Sequence, residues 1–285
     1  MGIRILLVIG ILIVVFAVYQ CVVQRLLQVV RVTVSPPRAK EFDRVLPRKM
    51  IVFADLHNDT FGRGNGKLIE AIKAEAPDCI LIPGDLIIGR EKHFDVAASL
   101  LKEFDKLGKP IYISLGNHES GTKENHPDLY ERFITQSAGE NVHFLDNRTE
   151  YFAENVAISG FTLPFEVYGK RGRRHKVTTA EMAKITPAAG PEDFRILLAH
   201  TPYYFDSYVS YGADLVFAGH VHGGIVRLPL LGGVISPQLE LFPKYDAGVF
   251  EKDDTTMVVT RGLGTHFPPV RIGNRPELLV ITIDR

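Results

Sequence analysis

Residues 215–224 of this 285-residue chain are Leu-Val-Phe-Ala-Gly-His-Val-His-Gly-Gly, an apolar run followed at once by two histidines between glycines. The apolar run predicts a short buried strand. Histidines two positions apart cannot share one face of a helix, but in an irregular turn after a strand their side chains can converge. The flanking glycines allow the tight backbone of such a turn. The segment therefore indicates either a metal site or two surface loop histidines, and the rest of the chain has to decide.

Four apolar runs upstream end in the same kind of residue. The junctions are Lys49–Ala54 before Asp55 and His57, Cys79–Ile82 before Asp85, Pro110–Leu115 before Asn117, and Arg195–Ala199 before His200. Taken singly, each has a structural explanation, because an Asp after a strand is often a helix cap and a lone His is usually structural. Five such junctions in succession, including His220 and His222, indicate a metal site.

The number and type of these side chains favour two metal ions. Asp, Asn and His supply oxygen and imidazole nitrogen without thiolate, which suits Mn²⁺, Fe or Zn²⁺. Seven candidate ligands are too many for one catalytic ion. Two ions roughly 3.5–4 Å apart, bridged by a carboxylate and a water, need about that number and are used to hydrolyse phosphate esters.

Helical patterns separate several of the strands. Phe94–Leu107 carries an apolar stripe closed by Gly108, and Gly62–Lys67 opens an amphipathic helix through Ala76. Strand–helix–strand alternation predicts a parallel-type β core with helices on its faces and sites beyond the C-terminal strand ends. Further predicted elements are an edge strand over Gln28–Ser35, a helix over Leu129–Ser137, a second sheet beginning with Val142–Phe144 and Val156–Ser159, and closing strands over Thr256–Thr260 and Leu278–Ile283.

The composition limits the classes of partner that the protein is expected to bind. Lys plus Arg equals Asp plus Glu at 33 each, so no overall field recruits polyanions, and nucleic acid is disfavoured as a partner. Hydrophobic residues make up 46% of the chain, enough for a sizeable core. Cys21 lies in the N-terminal apolar segment and Cys79 inside a predicted strand, so no disulfide between them is expected.

The N-terminal segment predicts a membrane anchor. No charged residue occurs from Ile5 to Val23, and 19 residues at about 1.5 Å each match the hydrocarbon thickness of a bilayer. A cleaved signal peptide would need a shorter apolar core and a small-residue cleavage site. We therefore divide the chain into an anchor with a short juxtamembrane segment, 1–27, and one catalytic domain, 28–285. The flanking charges, Arg4 against Arg25, Arg31, Arg38 and Lys40, predict a single-pass protein with a cytoplasmic domain.

The order Asp-x-His, Gly-Asp, Gly-Asn-His-Glu, His, Gly-His-x-His resembles the calcineurin-like metallophosphoesterase superfamily over residues 49 to 285. The N-terminal helix, together with Gly262–Thr265 and Pro269–Arg271, is similar to the bacterial membrane-associated branch. The resemblance implies an α/β fold in which two mixed β-sheets pack as a sandwich flanked by helices.

The resemblance also implies roles for individual residues. It assigns Asp55, His57 and His222 to one metal, Asn117, His200 and His220 to the other, and Asp85 to a bridge between them. His118 would face the substrate, contacting a phosphate oxygen or protonating the leaving alkoxide. The implied mechanism is direct in-line attack by a metal-bridging hydroxide, with Mn²⁺ the favoured metal and no covalent enzyme intermediate.

The substrate is left open. The resemblance implies hydrolysis of a phosphomonoester, phosphodiester or pyrophosphate bond, and some members of the branch hydrolyse UDP-2,3-diacylglucosamine in lipid A synthesis. A lipid-linked or nucleotide-linked substrate therefore fits. The alternative of another class is a scaffold or binding subunit that keeps the fold without chemistry. Arg261, His266 and Arg271 are candidates for substrate contact or for structural roles.

Two further segments have two interpretations each. The basic run Lys170–Lys176 fits either a grip on a phosphate or an anionic lipid surface, or a solvated loop. The apolar turn Leu228–Leu231 fits either a lipid-facing pocket or ordinary core packing.

Overall fold

The computed structural model describes residues 2–89, 91, 93–168, 177–185, 189–266 and 268–284. Within these ranges the helices are α1 (Gly2–Val23), α2 (Gly66–Glu75), α3 (Asp95–Asp105), α4 (Asn117–Asn125), α5 (Pro127–Ser137), α6 (Thr179–Ile185) and α7 (Phe205–Tyr211). The strands are β1 (Gln28–Val34), β2 (Lys49–Val52), β3 (Cys79–Pro83), β4 (Ile111–Ser114), β5 (Val142–Phe144), β6 (Thr149–Ala153), β7 (Val156–Phe161), β8 (Phe194–Ala199), β9 (Leu215–Ala218), β10 (Val226–Leu228), β11 (Gly232–Ile235), β12 (Gly248–Lys252), β13 (Thr255–Val259) and β14 (Glu277–Ile283).

The strands form two six-stranded sheets and a separate hairpin. The first sheet has the order β1-β14-β2-β3-β4-β5, the second β12-β13-β9-β8-β7-β6, and β10 pairs with β11. Both sheets are mixed: β2 to β5 are parallel neighbours but β14 runs antiparallel to β2, and β7 to β9 are parallel but β6 is antiparallel to β7. The two-sheet sandwich is confirmed, and the parallel arrangement predicted from the strand–helix alternation is interrupted where β14 pairs with β2, β6 with β7 and β12 with β13.

The central strands are almost entirely apolar because both of their faces are buried. In β2, Met50 and Val52 face the core between the two sheets, whereas Ile51 faces the helices on the outer side. This alternation is the period of two that a strand imposes. The sandwich and its helix layer therefore hold the strand ends in a rigid frame.

The helices were partly predictable. The apolar stripe of α3, which includes Leu101 and Phe104, packs against the first sheet as expected. Helix α4 was not predicted, because its sequence is polar throughout. Its start is stabilised by Glu119, which reaches back to accept a hydrogen bond from the N-cap Gly116 N–H at 2.9 Å.

Most of helix α1 is exposed, and its C-terminal end contacts the domain through hydrogen bonds from residues 19–24. Its stretch Arg4–Val23 reaches a mean hydropathy of 2.9, and only 6% of the residues in that apolar window are buried. At about 1.5 Å per residue it is long enough to cross a bilayer. Membrane-spanning helices and signal sequences share this length and composition.

Candidate metal centre

The five strand–ligand junctions lie at one edge of the sandwich. Backbone hydrogen bonds connect the loops directly: the Asp55 N–H donates to Gly84 O at 3.1 Å, the His57 N–H to Asp85 O at 3.2 Å, and the Gly219 N–H to His200 O at 2.8 Å. The loops after β2 and β3 are joined to each other, as are those after β8 and β9. Side chains far apart in sequence therefore converge.

Strained backbone aims most of these side chains inward. Five of the seven candidate ligands have a positive φ, namely Asp55 at 54°, His57 at 49°, Asp85 at 54°, His220 at 69° and His222 at 54°. A side chain in this left-handed region costs roughly 1–2 kcal/mol. Such strain gathers at ligand clamps, where the surrounding structure enforces it.

One group of ligand atoms comprises Asp55, His57 and His222. Their donor atoms all lie within 4.8 Å of one another. His57 Nε2 is 3.2 Å from His222 Nε2, and His222 Nε2 is 3.4 Å from Asp55 Oδ1. Because nitrogen and oxygen lone pairs meet here, the group suits a cation at its centre.

A second group comprises Asp85, His200 and His220, with Asn117 beside it. His200 Nε2 lies 3.1 Å from Asp85 Oδ2, 3.2 Å from Asn117 Oδ1 and 3.2 Å from His220 Nδ1. His200 Nδ1 is 2.8 Å from the Pro83 carbonyl oxygen, so Nδ1 carries the donated proton in the neutral ring. That tautomer leaves Nε2 as the atom able to bind a metal.

Asp85 lies between the two groups. Its Oδ2 is 3.1 Å from His200 Nε2 and 3.9 Å from His57 Nε2, which belong to different groups. The second oxygen, Oδ1, accepts the His118 N–H at 2.9 Å, and this bond fixes the carboxylate plane. Asp85 is therefore positioned to serve both groups at once.

His118 faces the cluster from the start of α4. Its Nδ1 accepts the Gly89 N–H at 2.9 Å, so in the neutral ring Nε2 carries the proton. The ring centroid lies 4.9 Å from that of His57. His118 thus has a protonated Nε2 available as a hydrogen-bond donor, whereas the Nε2 of His200 is the unprotonated nitrogen.

Burial and local charge set the ionisation of the cluster. Burial lowers the pKa of His57 to about 3 and brings the pKa values of His220 and His222 well below their usual range. These three imidazoles are neutral near pH 7 and offer lone pairs. Burial alone would raise the pKa of Asp85, but His200 and His118 outweigh it and hold that pKa well below its ordinary value.

The pKa values of Asp55 and His200 are raised, in contrast to those of the other groups in the cluster. Burial raises the pKa of Asp55 to about 7. Burial disfavours the His200 cation, but neighbouring Asp85 outweighs burial and raises the pKa of His200 to about 9. Metal ligation needs the neutral imidazole, so metal binding at His200 would release a proton.

A cavity of about 860 Å³ opens onto the cluster. Asp85, Asn117, His118, His220 and His222 line its floor. Its walls include Phe165, Tyr168, Pro237, Leu239 and His266. The cavity is large enough for a small organic ligand and combines apolar walls with convergent polar groups.

The sequence profile of the calcineurin-like phosphoesterase family matches residues 48–224. The chain belongs to the calcineurin-like phosphoesterase family. It is therefore a hydrolase of phosphoesters, and the family generally binds two divalent metals. The matched range contains all seven candidate ligands and His118, whereas Arg261, His266 and Arg271 lie outside it.

Two sequence relatives support the same family. An uncharacterized metallophosphoesterase of Aquifex aeolicus (strain VF5) is 31% identical over 213 residues, 73% of this chain and 74% of that protein. Phosphodiesterase YaeI of Escherichia coli (strain K12) is 28% identical, covering 85% of this chain and 84% of its own length. A solved structure from Thermus thermophilus aligns with a TM-score of 0.49 at 11% identity, over 75% of this chain and 89% of that one.

The C-terminal residues predicted to contact substrate lie in different places. His266 lines the cavity. Arg271 is 2% exposed, and its guanidinium donates to the backbone carbonyls of Gly262 and Gly264. Arg261 Nε lies 3.2 Å from Glu277 Oε2. These placements favour structural roles for the two arginines in this phosphoesterase. The basic run 170–176 falls outside the described residues.

Two supporting residues were assigned no role from the sequence. Gln238 Nε2 lies 3.2 Å from His220 Nε2, on a loop 18 residues further along the chain. Glu119 is buried and accepts the N–H groups of Asp85 at 2.8 Å, Ile87 at 3.0 Å and Gly116 at 2.9 Å. Glu119 ends the Gly-Asn-His-Glu motif, and an acidic side chain three residues after Gly116 was the available sequence signal for its role, whereas nothing local marks Gln238.

Replacing Glu119 with alanine should destabilise the protein by about 3–5 kcal/mol. Three buried N–H groups would lose their acceptor, and each unpaired group costs about 1–3 kcal/mol, with relaxation recovering part of it. Thermal unfolding of the full-length protein in detergent micelles measures the change. The control is Glu103→Ala on the exposed face of α3, where a surface ion pair with Lys106 contributes under about 1 kcal/mol. Equal losses in the two variants would contradict this role of Glu119.

Proposed function

We propose that this chain is a membrane-anchored phosphoesterase that uses two divalent ions to attack a phosphoester or pyrophosphate bond directly with water. The observation that carries the proposal is the position of Asp85, with one carboxylate oxygen between two separate groups of buried ligands. A scaffold without chemistry has no need of seven convergent ligand side chains, six of them buried and five on strained backbone.

The donor set fits a metal pair. One ion would be held by Asp55, His57 and His222. The other would be held by Asn117, His200 and His220, and Asp85 would contribute to both. His222 presents Nε2 to this set, 3.2 Å from His57 Nε2 and 3.4 Å from Asp55 Oδ1. The set contains no thiolate, and Mn²⁺ is the favoured ion, with Fe or Zn²⁺ as alternatives.

The roles of the metal ions and of His118 in hydrolysis follow from these positions. Bound together, the two cations would lower the pKa of the attacking water and neutralise charge on the phosphate oxygens. His118 would donate its Nε2 proton to a phosphate oxygen or to the leaving alkoxide. Gly89 holds that tautomer by donating to Nδ1. No side chain has to form a covalent intermediate.

The cavity favours a substrate with an organic group on the phosphate. Its volume of about 860 Å³ exceeds the needs of inorganic phosphate, and Phe165 and Leu239 make part of the wall apolar. The Escherichia coli relative is named a phosphodiesterase, which supports a diester. An activity like that of a UDP-2,3-diacylglucosamine pyrophosphatase is the more specific alternative, supported by the same apolar wall. Assays with a soluble diester and with this nucleotide-linked lipid separate the two.

The membrane anchor is supported by the way α1 joins the domain. Gln20 Oε1 accepts the Arg271 N–H at 2.9 Å, and Gln20 Nε2 donates to Arg271 O at 3.2 Å, in a buried reciprocal pair. Gln24 Nε2 donates to Pro269 O at 2.7 Å. A segment destined for cleavage has no need of such docking. The excess of basic residues after α1 puts the domain on the cytoplasmic side in this proposal.

Full-length protein in detergent, stripped of metal and titrated with Mn²⁺, should bind two ions per chain and regain diesterase activity. His118→Asn should keep both ions and lose about 10²–10⁴-fold in kcat, because it removes a proton donor and no ligand. Metal analysis and steady-state kinetics on the same samples measure both. The control is His143→Asn, since His143 pairs with Glu150 on β5 and β6, outside the cavity lining. Fewer than one ion per chain would favour the scaffold, and full activity in His118→Asn would refute the donor role.

A further inference from the structure

An exposed apolar surface follows the fifth ligand loop. Residues 226–242, here called the apolar meander, form the β10–β11 hairpin and a returning segment in which Leu241 bridges Ile235. Leu230, Leu231 and Leu241 expose 106%, 62% and 66% of their surface, and Leu228, Leu239 and Phe242 are exposed as well. The turn Leu228–Leu231 therefore does not pack into the core. So many large apolar side chains in one short segment mark an interaction surface.

Backbone strain adds to the cost of these residues. Leu230, Leu239 and Phe242 have φ values of 67°, 63° and 49°. Glycine and asparagine adopt this region readily, whereas leucine and phenylalanine do so at a cost of roughly 1–2 kcal/mol. Because these side chains are both exposed and on strained backbone, they do not increase the stability of the folded domain in water. Their contribution has to come from contact with an apolar partner.

The meander starts beside the point where α1 joins the domain. The Arg227 N–H of β10 donates to Ile272 O at 2.8 Å, and the next residue, Gly273, donates its N–H to the Tyr19 hydroxyl of α1 at 3.2 Å. A Cβ on Gly273 would lie 2.2 Å from Arg227 O, so the two segments are in direct contact. Tyr19 is the kind of residue found at the membrane–water interface. Leu228 and the turn after it are therefore close to the bilayer surface that α1 would define.

Sheet topology puts the ligand cluster at the same end of the domain. Gln28, at the start of β1, pairs with Glu277, and two residues later along β14 Leu279 pairs with Val52, the last residue of β2. Asp55 follows Val52 by three residues. The chain thus leaves α1 at the edge where the ligand loops gather, not at the opposite edge.

The meander also reaches the cavity. Pro237, Gln238 and Leu239 lie in the turn after β11 and line the cavity wall. The four residues of β11, at about 3.4 Å each, connect this turn to the Leu230 tip over roughly 13 Å. A partner that contacts the tip would therefore also lie near the mouth of the cavity.

We propose that the apolar meander inserts into the same bilayer that anchors α1, so that the mouth of the phosphoesterase cavity faces the lipid headgroups. The proposal rests on the membrane anchoring proposed above. Continuity with α1 identifies the partner as a lipid bilayer, because the tip and the end of α1 are joined through residues 272–273.

The chain contains no tryptophan, so one introduced indole reports without background. Full-length Leu231→Trp, reconstituted into phosphatidylcholine vesicles with brominated acyl chains, should emit at shorter wavelength and be quenched to an extent comparable with Ile13→Trp inside α1. Leu231 is chosen because its φ is not positive. The matched control is Tyr151→Trp, another exposed position, which lies beside Ala157 near the start of β7 and so at the edge opposite the ligand loops.

Each outcome decides between defined alternatives. If Ile13→Trp is quenched but Leu231→Trp is no more quenched than Tyr151→Trp, the meander proposal is overturned while the anchor stands. If Ile13→Trp is not quenched either, the anchor fails, and the meander proposal falls with it. A blue shift of Leu231→Trp that grows with protein concentration, without quenching by brominated chains, identifies a second copy of the chain as the partner and also overturns the proposal.

Discussion

Asp85→Asn should leave a folded protein with at most one bound metal ion and a kcat reduced by roughly a thousandfold or more. The amide replaces Oδ2, the oxygen 3.1 Å from His200 Nε2 and 3.9 Å from His57 Nε2, with a group that has no lone pair to offer. Losing several kcal/mol of charge stabilisation in the transition state corresponds to this factor, since each 1.36 kcal/mol is tenfold in rate. Metal analysis and kinetics with saturating Mn²⁺ measure the two effects.

The control for Asp85→Asn is Asp146→Asn. Asp146 forms a surface ion pair with Lys123, and such pairs contribute about 0–1 kcal/mol. This variant should keep both ions and the full kcat. If Asp85→Asn retained two ions and wild-type activity, the two-ion site proposed here would be wrong. If Asp85→Asn unfolded, Asp85→Glu, which keeps the negative charge, would be tested in its place.

Gly219→Ala should weaken both metal ions together. A Cβ at this position would lie 2.5 Å from Asp55 Oδ2 and 2.7 Å from the Ala54 Cβ, closer than atoms can pack. The His220 N–H also donates to Asp55 Oδ2 at 3.1 Å, so the turn and the carboxylate have to move as a unit. Since this turn carries His220 of one group and His222 of the other, its displacement reaches both. Stepwise Mn²⁺ titration followed by calorimetry measures the two affinities.

The matched change for Gly219→Ala is Gly66→Ala. Gly66 begins α2 with helical φ, and a Cβ there meets nothing within 4 Å. Its replacement should leave metal binding unchanged and stabilise the helix by up to about 1 kcal/mol. Weakening of one ion alone in Gly219→Ala would contradict the view that this turn sets the spacing of the pair.

Local patterns predicted the elements that carry the site. The buried runs before Asp55, Asp85 and His200 are all strands in the structure, because an uninterrupted apolar run of four to six residues can only be buried within a sheet or core. The pairing of β14 between β1 and β2 was not predictable. It joins Val52 to Leu279, and nothing near either residue encodes that contact. The small β10–β11 hairpin was missed because glycine and proline obscure its pattern.

The sequence by itself determined which donor atoms are present and that each follows a buried strand, since residue type and hydrophobic period are local properties. Only the tertiary structure decided how far apart the ligand side chains lie. His220 and Asp55 are 165 residues apart, yet they share a hydrogen bond because the two sheets pack with their ligand loops at one edge. The left-handed backbone at five ligands also lies beyond local prediction, because the packed sandwich enforces conformations that these residues avoid on their own.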